Sequence, residues 1–443
     1  MRRPPLLAAL IAALSAAAPP AAALDEAPRP EARPSLAAQA AAAVPGASPR
    51  PGARPAPVAP ASPDAPPAAA REAAFLAWLD GFRGRALAEG IRPDVLDAAL
   101  AGVRYDPEIV RRDRSQSEFT KTIWQYLETA VSESRIRNGR AALAEHAATL
   151  EAIERLHGVE KEVVAAIWGL ESAYGAHRGT EPVIQSLATL AHDGRRGAFF
   201  EEQLLAALRI LQAGDTSPAN MTGSWAGAMG HTQFIPTSFL LYAVDGTGDG
   251  RRDIWGDDPT DALASTAAYL AGFGWTKGQP WGVEVTLPAG FDYLEARRDL
   301  TRLPSEWAAL GVRGAGGAAV PDHGPASVLL PAGAGGAAFL VFDNFAVIER
   351  YNTADAYVIG VGHLADRLAG GGPIRGGWPE GDRALTFDER QEMQRRLTEA
   401  GFDTQGVDGR VGPLTVAAIR GFQSSAGLIP DGYASLALLE RLR

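Results

Sequence analysis

The chain has 443 residues, 46% of them hydrophobic, which is enough for packed cores and predicts two or three domains. Its 52 acidic and 42 basic residues give a formal net charge of -10. This acidic balance excludes a nucleic-acid-binding protein, because such a protein neutralises phosphates with a basic face.

Residues 1–24 have the pattern of a secretory signal peptide. Arg2 and Arg3 supply the positive end, residues 6–18 the apolar stretch and residues 21–23 a small-residue cleavage region. The apolar run is shorter than the ~20 residues of a spanning helix, so a transmembrane anchor is the weaker alternative. The chain has no cysteine, which excludes a lipid anchor and disulfides. We expect an exported, periplasmic protein without either anchor.

Composition divides the rest of the chain into four segments. Residues 25–70 are rich in Ala and Pro, which predicts a disordered linker. Residues 71–369 form a mainly helical segment whose later part, 279–349, has the Gly, Pro and short apolar runs of loops and strands. Residues 370–383 form a second linker, and residues 384–443 a small three-helix module. The predicted fold class is mainly α with a small α/β portion.

The most informative stretch runs from Glu162 to Gly175, with the sequence EVVAAIWGLESAYG. Residues 163–170 are apolar around the whole helix, which predicts burial on every side. Glu171 follows directly. A carboxyl at the end of a buried helix loses hydration, which raises its pKa and suits it to general acid–base catalysis. The alternative is an ordinary surface glutamate at a helix C-terminus.

Three motifs resemble the lytic murein transglycosylase B family (glycoside hydrolase family 103). They are residues 171–175 (ESAYG), 223–230 (GSWAGAMG) and 233–239 (QFIPTSF). The resemblance covers most of the middle segment and implies a lysozyme-like helical core with a small additional domain. It also implies a substrate, the glycan strands of peptidoglycan. The implied reaction is non-hydrolytic cleavage of the MurNAc–GlcNAc β-1,4 bond, which leaves 1,6-anhydro-MurNAc ends.

The resemblance further implies a set of site residues. Glu171 matches the catalytic acid and base, and Ser224 matches a hydroxyl that contacts the N-acetyl group of the muramoyl sugar. Arg195 and Arg196 match an arginine pair that meets peptide or sugar groups of the substrate. The other matches line the substrate cleft: Gln233, Tyr269, Tyr351, Asn352, Tyr357 and Tyr126. Without the resemblance, each of these is better interpreted as a turn residue, a core aromatic or a solvated surface pair.

The chemistry of this set fits a substrate-assisted glycosidase, an exception to the two-carboxylate mechanism. Glu171 would protonate the leaving oxygen while the substrate acetamide attacks C1, and would then remove the proton from the C6 hydroxyl. Two alternatives remain open at the sequence level. One is a muramidase that hydrolyses the same bond, and the other is an inactive wall-binding protein. Other cell-wall enzymes are further candidate partners.

Residues 245–250 (DGTGDG) match the opening of an EF-hand loop. Its twelfth position is Gly256, where a bidentate Glu belongs, so the strict pattern fails. The resemblance implies a longer loop closed by Asp261. The predicted structural Ca²⁺ ligands are Asp245, Thr247, Asp249, the Arg251 carbonyl and Asp261. The alternative is a polar turn without metal. We expect catalysis to require no cofactor.

The final block has its own helical pattern, with Gly401 ending one helix and Pro413 opening another. The predicted core residues are Met393, Leu397, Leu414, Ile419, Phe422 and Leu436. The order of its Gly, Asp-Gly and apolar positions resembles the peptidoglycan-binding domain of many wall enzymes. The resemblance implies that the module raises the local concentration of substrate.

Overall fold

The computed structural model describes residues 67–115 and 121–443. The predicted signal peptide and most of the first linker lie outside the described residues. None of the described helices combines the length and the hydropathy needed to cross a bilayer. In chain order the helices are α1 (Ala68–Ala88), α2 (Pro93–Leu100), α3 (Pro107–Ser115), α4 (Ile123–Ala130), α5 (Glu133–Glu145), α6 (Ala147–His157), α7 (Lys161–Ser172), α8 (Val183–Asp193), α9 (Gly197–Ala213), α10 (Pro236–Tyr242), α11 (Thr260–Gly272), α12 (Pro304–Ala309), α13 (Asp343–Glu349), α14 (Asp355–Leu368), α15 (Phe387–Glu399), α16 (Pro413–Ser425) and α17 (Leu436–Leu442).

Helix α1 begins at Ala68, so three residues assigned to the first linker are helical. Pro67 precedes the helix, and alanine has the highest helix propensity of all residues. The helix can therefore extend beyond its buried residues, the first of which is Phe75. This corrects the predicted linker boundary of residue 70.

Helices α7 and α8 form the centre of the main core. Every residue of α7 from Val163 to Gly169 is buried, as the all-apolar sequence predicts. In α8 eight residues are buried, and the helix ends at Gly194, which has a φ of 80°. Helix α14 packs along α7, and its buried residues include Val358, Ile359 and Val361. The mainly helical fold class is thus confirmed.

A four-stranded antiparallel sheet forms the small α/β portion. Its strands are β3 (Gly282–Thr286), β4 (Arg313–Gly314), β5 (Ser327–Leu329) and β6 (Ala338–Val341), in the order β4-β3-β6-β5. Side chains of β6 alternate between two cores, as the period of two in a strand requires. Phe339 and Val341 face the main helical core. Ala338 and Leu340 face a second core that contains Trp307.

Two further strands, β1 (Glu181–Pro182) and β2 (Thr222–Gly223), form a short antiparallel pair. The pair brings the chain that follows Gly223 to the start of α8. The glycine-rich motif is therefore fixed against the main core.

The C-terminal module packs α15, α16 and α17 around a core that includes Met393, Leu397 and Ile419. The prediction of Leu414 as a core residue is wrong, because this side chain is 51% exposed. Thr415 takes the buried position instead, since residues three and four positions before Ala418 and Ile419 share their face.

The module is fastened to the sheet portion by specific contacts. The Ala334 amide donates to Asp431 Oδ2 over 2.9 Å, and Arg420 Nη2 donates to the Ala296 carbonyl over 2.5 Å. The connecting segment is also held, because the Arg375 amide donates to both oxygens of Glu284. The predicted second linker therefore lies against the four-stranded sheet, because Glu284 belongs to β3.

Candidate active site

Glu171 is the second-to-last residue of the buried helix α7 and is itself partly exposed. The helix ends in a left-handed turn, in which Ala173 has a φ of 51° and Tyr174 a φ of 60°. This conformation costs a residue other than glycine about 1 kcal/mol. The turn stops the helix one residue after Glu171, and this leaves the carboxyl at the edge of the core.

The carboxyl of Glu171 has one described hydrogen-bond donor. Tyr357 Oη, near the start of α14, donates to Glu171 Oε1 over 2.6 Å. Burial raises the pKa of Glu171 to about 7, and the hydrogen bond from Tyr357 opposes this rise. Near neutral pH the group therefore exists in both its acid and base forms, as a proton-transfer catalyst requires.

Two more tyrosines lie within electrostatic reach of Glu171. Burial and the charge of Glu171 raise the pKa values of Tyr126 and Tyr351. Tyr351 Oη donates to the Thr232 carbonyl over 2.6 Å, which fixes its ring. Tyr126 on α4 and Tyr351 after α13 thus both feel the charge of Glu171, and their predicted contact with substrate stays a prediction.

Tyr269 of α11 lies behind Tyr351. The ring centroids of the two are 5.1 Å apart, and Tyr269 Oη donates to the Arg350 carbonyl. Tyr269 is buried, with 7% of its surface exposed. Its described contacts support the ring of Tyr351, and its predicted contact with substrate stays a prediction.

Ser224 and Gln233 stabilise the turns of the glycine-rich motif. Ser224 Oγ accepts from the amides of Ala226 and Ala228, at 3.3 and 3.1 Å. Gln233 has a φ of 54°, and its Nε2 donates to the carbonyl of Gly230 over 2.8 Å. These bonds occupy the acceptor side of Ser224 Oγ and the donor side of Gln233, which leaves a hydroxyl proton and an amide oxygen for a ligand.

Asn352 is 8% exposed and begins the connection into α14. Its Oδ1 accepts from the Ala354 amide over 3.0 Å, in the manner of an Asx turn. This hydrogen bond sets the orientation of the Asn352 side-chain amide, in which Oδ1 faces the backbone of the turn and Nδ2 does not.

Arg195 and Arg196 both bind the buried carboxylate of Asp113 in α3. Arg195 Nε donates to Asp113 Oδ2 and Arg196 Nη2 donates to Oδ1, each over 2.7 Å. Asp113 is 3% exposed, so removal of either arginine would leave a buried charge poorly compensated. This anchoring role was not predicted from the sequence, and a contact with substrate stays a prediction.

A hydrogen-bonded group fixes the end of α7 against the glycine-rich motif. Trp168 Nε1 donates to His231 Nδ1 over 3.1 Å, and Ser172 Oγ donates to the His231 carbonyl over 2.5 Å. His231 Nε2 then donates to the Gly256 carbonyl over 2.8 Å, while burial lowers the pKa of this imidazole. His231 is thus a neutral positioning residue. Ser172 belongs to the ESAYG motif, but the bonds from Trp168 and Ser172 to His231 were not predicted from the sequence.

Comparison with known proteins identifies the family of the chain. Residues 74–366 match the model of the transglycosylase SLT domain. The chain belongs to this transglycosylase family. Residues 387–442 match a peptidoglycan binding domain, which lies directly after the SLT domain.

Individual relatives share the SLT domain. The chain is 31% identical over 252 residues to membrane-bound lytic murein transglycosylase B of Escherichia coli, which covers 55% of this chain and 67% of the relative. Crystal structures of SltB3 from Pseudomonas aeruginosa, in complex with NAG-anhNAM-pentapeptide and with NAG-NAM-pentapeptide, are 52% identical. They cover 83% of this chain and 99% of SltB3, with a TM-score of 0.82. Slt35 of E. coli in complex with calcium is 27% identical, covers 68% of this chain and 94% of Slt35, and has a TM-score of 0.57.

The predicted calcium loop of the SLT domain is closed by hydrogen bonds from its own backbone. Asp261 Oδ1 accepts from the amides of Gly246 and Thr247, at 2.9 and 3.0 Å. Asp245 Oδ2 accepts from the Gly250 amide over 2.8 Å. In the described ranges no cluster of three His, Cys, Asp or Glu residues is placed to hold a metal ion. The loop as folded therefore offers its carboxylates to amides, and a calcium site stays a prediction.

Proposed function

We propose that Glu171 is the acid and then the base of a lytic transglycosylase that cleaves peptidoglycan strands and leaves 1,6-anhydro-MurNAc ends. The observation that carries this proposal is the position of the Glu171 carboxyl at the end of the buried helix α7, where its one described hydrogen bond comes from Tyr357 and burial raises its pKa to about 7. Such a group donates a proton and takes one back within the same site. Its role rests on the position at the end of α7 and on membership of the family.

The electrostatics of the site support a mechanism with one protein carboxylate. Burial raises the pKa of Glu171 and the hydrogen bond from Tyr357 lowers it, and no described hydrogen bond joins Glu171 to another carboxyl. A retaining glycosidase of the usual kind would place a second carboxyl about 5 Å away. In the proposed reaction the substrate acetamide takes that role and attacks C1 as Glu171 protonates the leaving oxygen.

In the proposed reaction two side chains orient that acetamide. The Ser224 hydroxyl proton and the Nδ2 group of Asn352 remain after their described hydrogen bonds, and each can donate to an amide oxygen. In the second step the Glu171 carboxylate removes the C6 hydroxyl proton, and the C6 oxygen displaces the acetamide oxygen from C1, which closes the anhydro ring and restores the acetamide. Tyr126, Tyr351 and Tyr357 would limit the access of water to this step.

Mass spectrometry of digested sacculi tests the reaction. We expect muropeptides lighter by one water than hydrolysis products, and none from Glu171→Gln. Products of hydrolytic mass would instead establish the muramidase alternative. Release by Glu171→Gln at the wild-type rate would overturn the assignment of Glu171.

We further propose that the enzyme acts in the periplasm, where its glycan substrate lies, after export by the predicted signal peptide. The C-terminal module would hold the same strand, and other cell-wall enzymes are candidate partners. Detection of the mature protein in a periplasmic extract, with its N-terminus after the signal region, would test this location.

Calcium is proposed as a structural ligand only, at Asp245, Thr247, Asp249, the Arg251 carbonyl and Asp261. Binding would require the loop to exchange amide donors for the cation. We expect millimolar calcium to raise the midpoint of thermal unfolding by a few degrees at most, with no change in rate. A loss of activity in chelator would contradict this structural role.

A further inference from the structure

A second cavity lies beside the catalytic turn. It has a volume of about 390 Å³ and is bordered by the end of α4, the start of α5 and the residues that follow Glu171. Its lining includes Thr129, Ser132, Arg135, Asn138 and Tyr174. The cavity is therefore mostly polar, and its walls come from the same elements that hold Tyr126 and Glu171.

Tyr174 fixes the geometry of this cavity. Its Oη donates to the Arg135 carbonyl over 3.0 Å, which joins the catalytic turn to α5. The ring lies between two glycines, Gly139 of α5 and Gly169 of α7, and a Cβ at either position would overlap it. The wall between the catalytic turn and α5 is thus rigid, and the cavity is formed before any ligand arrives.

Arg135 is the unusual residue of this cavity. Its side chain is half-buried, yet within residues 67–115 and 121–443 its guanidinium has no described hydrogen bond or ion pair. Burial holds the pKa of Arg135 below its usual value, and the groups that oppose this effect are the phenols of Tyr174 and Tyr126. Since buried arginines are normally paired, this cation lacks a partner that a ligand can supply.

The position of Arg135 relative to the catalytic carboxyl follows from Tyr126. The charge of Glu171 raises the pKa of Tyr126 and the charge of Arg135 lowers it. The Tyr126 hydroxyl therefore lies within electrostatic reach of both groups. The cavity itself begins two residues after Glu171, because Ala173 and Tyr174 line it, so a substrate bound at Glu171 lies beside the cavity.

We infer that this cavity binds the peptide of the substrate and that Arg135 pairs with one of its carboxylates. The inference rests on the proposed function, because it takes peptidoglycan as the substrate. In a peptide-bearing strand the acetylated sugars are neutral, because the lactyl carboxyl of each muramoyl sugar forms the amide bond to the peptide, whereas a linear peptide ends in a carboxylate. Glu128, exposed at the cavity edge, suits a ligand that carries both charges rather than a simple anion.

The experiment compares two substrates prepared from the same sacculi: glycan strands that carry their peptides, and strands stripped of peptides by an amidase whose freed lactyl carboxylates are then capped as methyl amides. We expect Arg135→Gln to lower kcat/KM on peptide-bearing strands by 10- to 100-fold, roughly the value of a charge-assisted hydrogen bond, mainly through KM. The loss on stripped strands should be at least ten times smaller. Arg135→Lys keeps the charge and should recover part of the loss.

Arg137→Gln is the matched control, since it removes an exposed arginine from the same helix. It should change neither substrate's rate by more than about twofold. Equal losses of Arg135→Gln on both substrates would overturn the inference, because they would indicate a sugar contact or a folding defect. No loss on either substrate would overturn it as well. Glu171→Gln must be inactive on both, so activity of that variant would overturn the proposed function instead.

Discussion

Two partly or fully buried carboxylates in this molecule have opposite surroundings. Asp261 is 2% exposed and accepts three backbone N–H groups, from Gly246, Thr247 and Asp253. Glu171 accepts a single hydrogen bond, from Tyr357. The comparison shows how donors decide the role of a buried acid: three amides fix Asp261 in place as the closure of a loop, whereas one phenol leaves an oxygen of Glu171 available for chemistry.

Of the two substitutions that replace a buried acid by its amide, Glu171→Gln should have the larger effect, and this effect is on the reaction rate. Glu171→Gln removes the proton donor, and we expect release of muropeptides to fall about 10³-fold. The variant should also gain stability relative to the wild type as pH rises from about 4.5 to 7. In that window the unfolded chain has already lost the proton that folded Glu171 retains, so ionisation destabilises the wild type alone. Thermal unfolding across pH measures this second effect, and a gain that grows below pH 4 instead would contradict it.

The pH dependence of the wild-type rate tests whether burial raises the pKa of Glu171. The first step needs the acid form of Glu171, so kcat/KM should decline about tenfold per pH unit above a midpoint near 7. A midpoint near 4.5, the ordinary value for glutamate, would show that burial does not act as described.

Asp261→Asn should lower the stability of the fold and leave the reaction rate almost unchanged, which is the opposite of Glu171→Gln. The amide cannot accept all three backbone donors, and we expect the free energy of unfolding to drop by about 1–3 kcal/mol. The rate per folded molecule should stay within about threefold of wild type. Chemical denaturation and sacculus digestion check the two parts. An inactive variant of full stability would assign Asp261 to the reaction.

Tyr357→Phe should have the smallest effect of the series. Loss of its hydrogen bond raises the pKa of Glu171 further, since that bond favours the charged form. We expect the alkaline limb of the rate profile to move to higher pH, with a three- to tenfold loss of rate as the carboxyl loses its orientation. Tyr126→Phe is the control, because Tyr126 has no described hydrogen bond to Glu171. A shift to lower pH would contradict the described donor.

The sequence predicted those features that depend on neighbours in the chain. The all-apolar run from Val163 predicted a buried helix, and Gly401 and Pro413 predicted helix limits that the structure contains. The face of a helix that becomes buried depends on distant partners, and for this reason Leu414 was placed in the core wrongly.

The features of the site also fall into those that depend on neighbours in the chain and those that depend on distant partners. Burial of Glu171 could be inferred from its position, but its donor Tyr357 lies 186 residues away and was named through the resemblance. The anchoring of Arg195 by Asp113 and the lack of a partner for Arg135 depend on packing between separate helices. Such pairings leave no local pattern in a single sequence.

The attachment of the C-terminal module has a consequence for how the enzyme meets a polymer. Because Asp431 and Arg420 fasten the module to the sheet portion, its spacing from the cleavage point is set by the fold and not by chain flexibility. A strand held by the module would then be presented at a constant offset along its length.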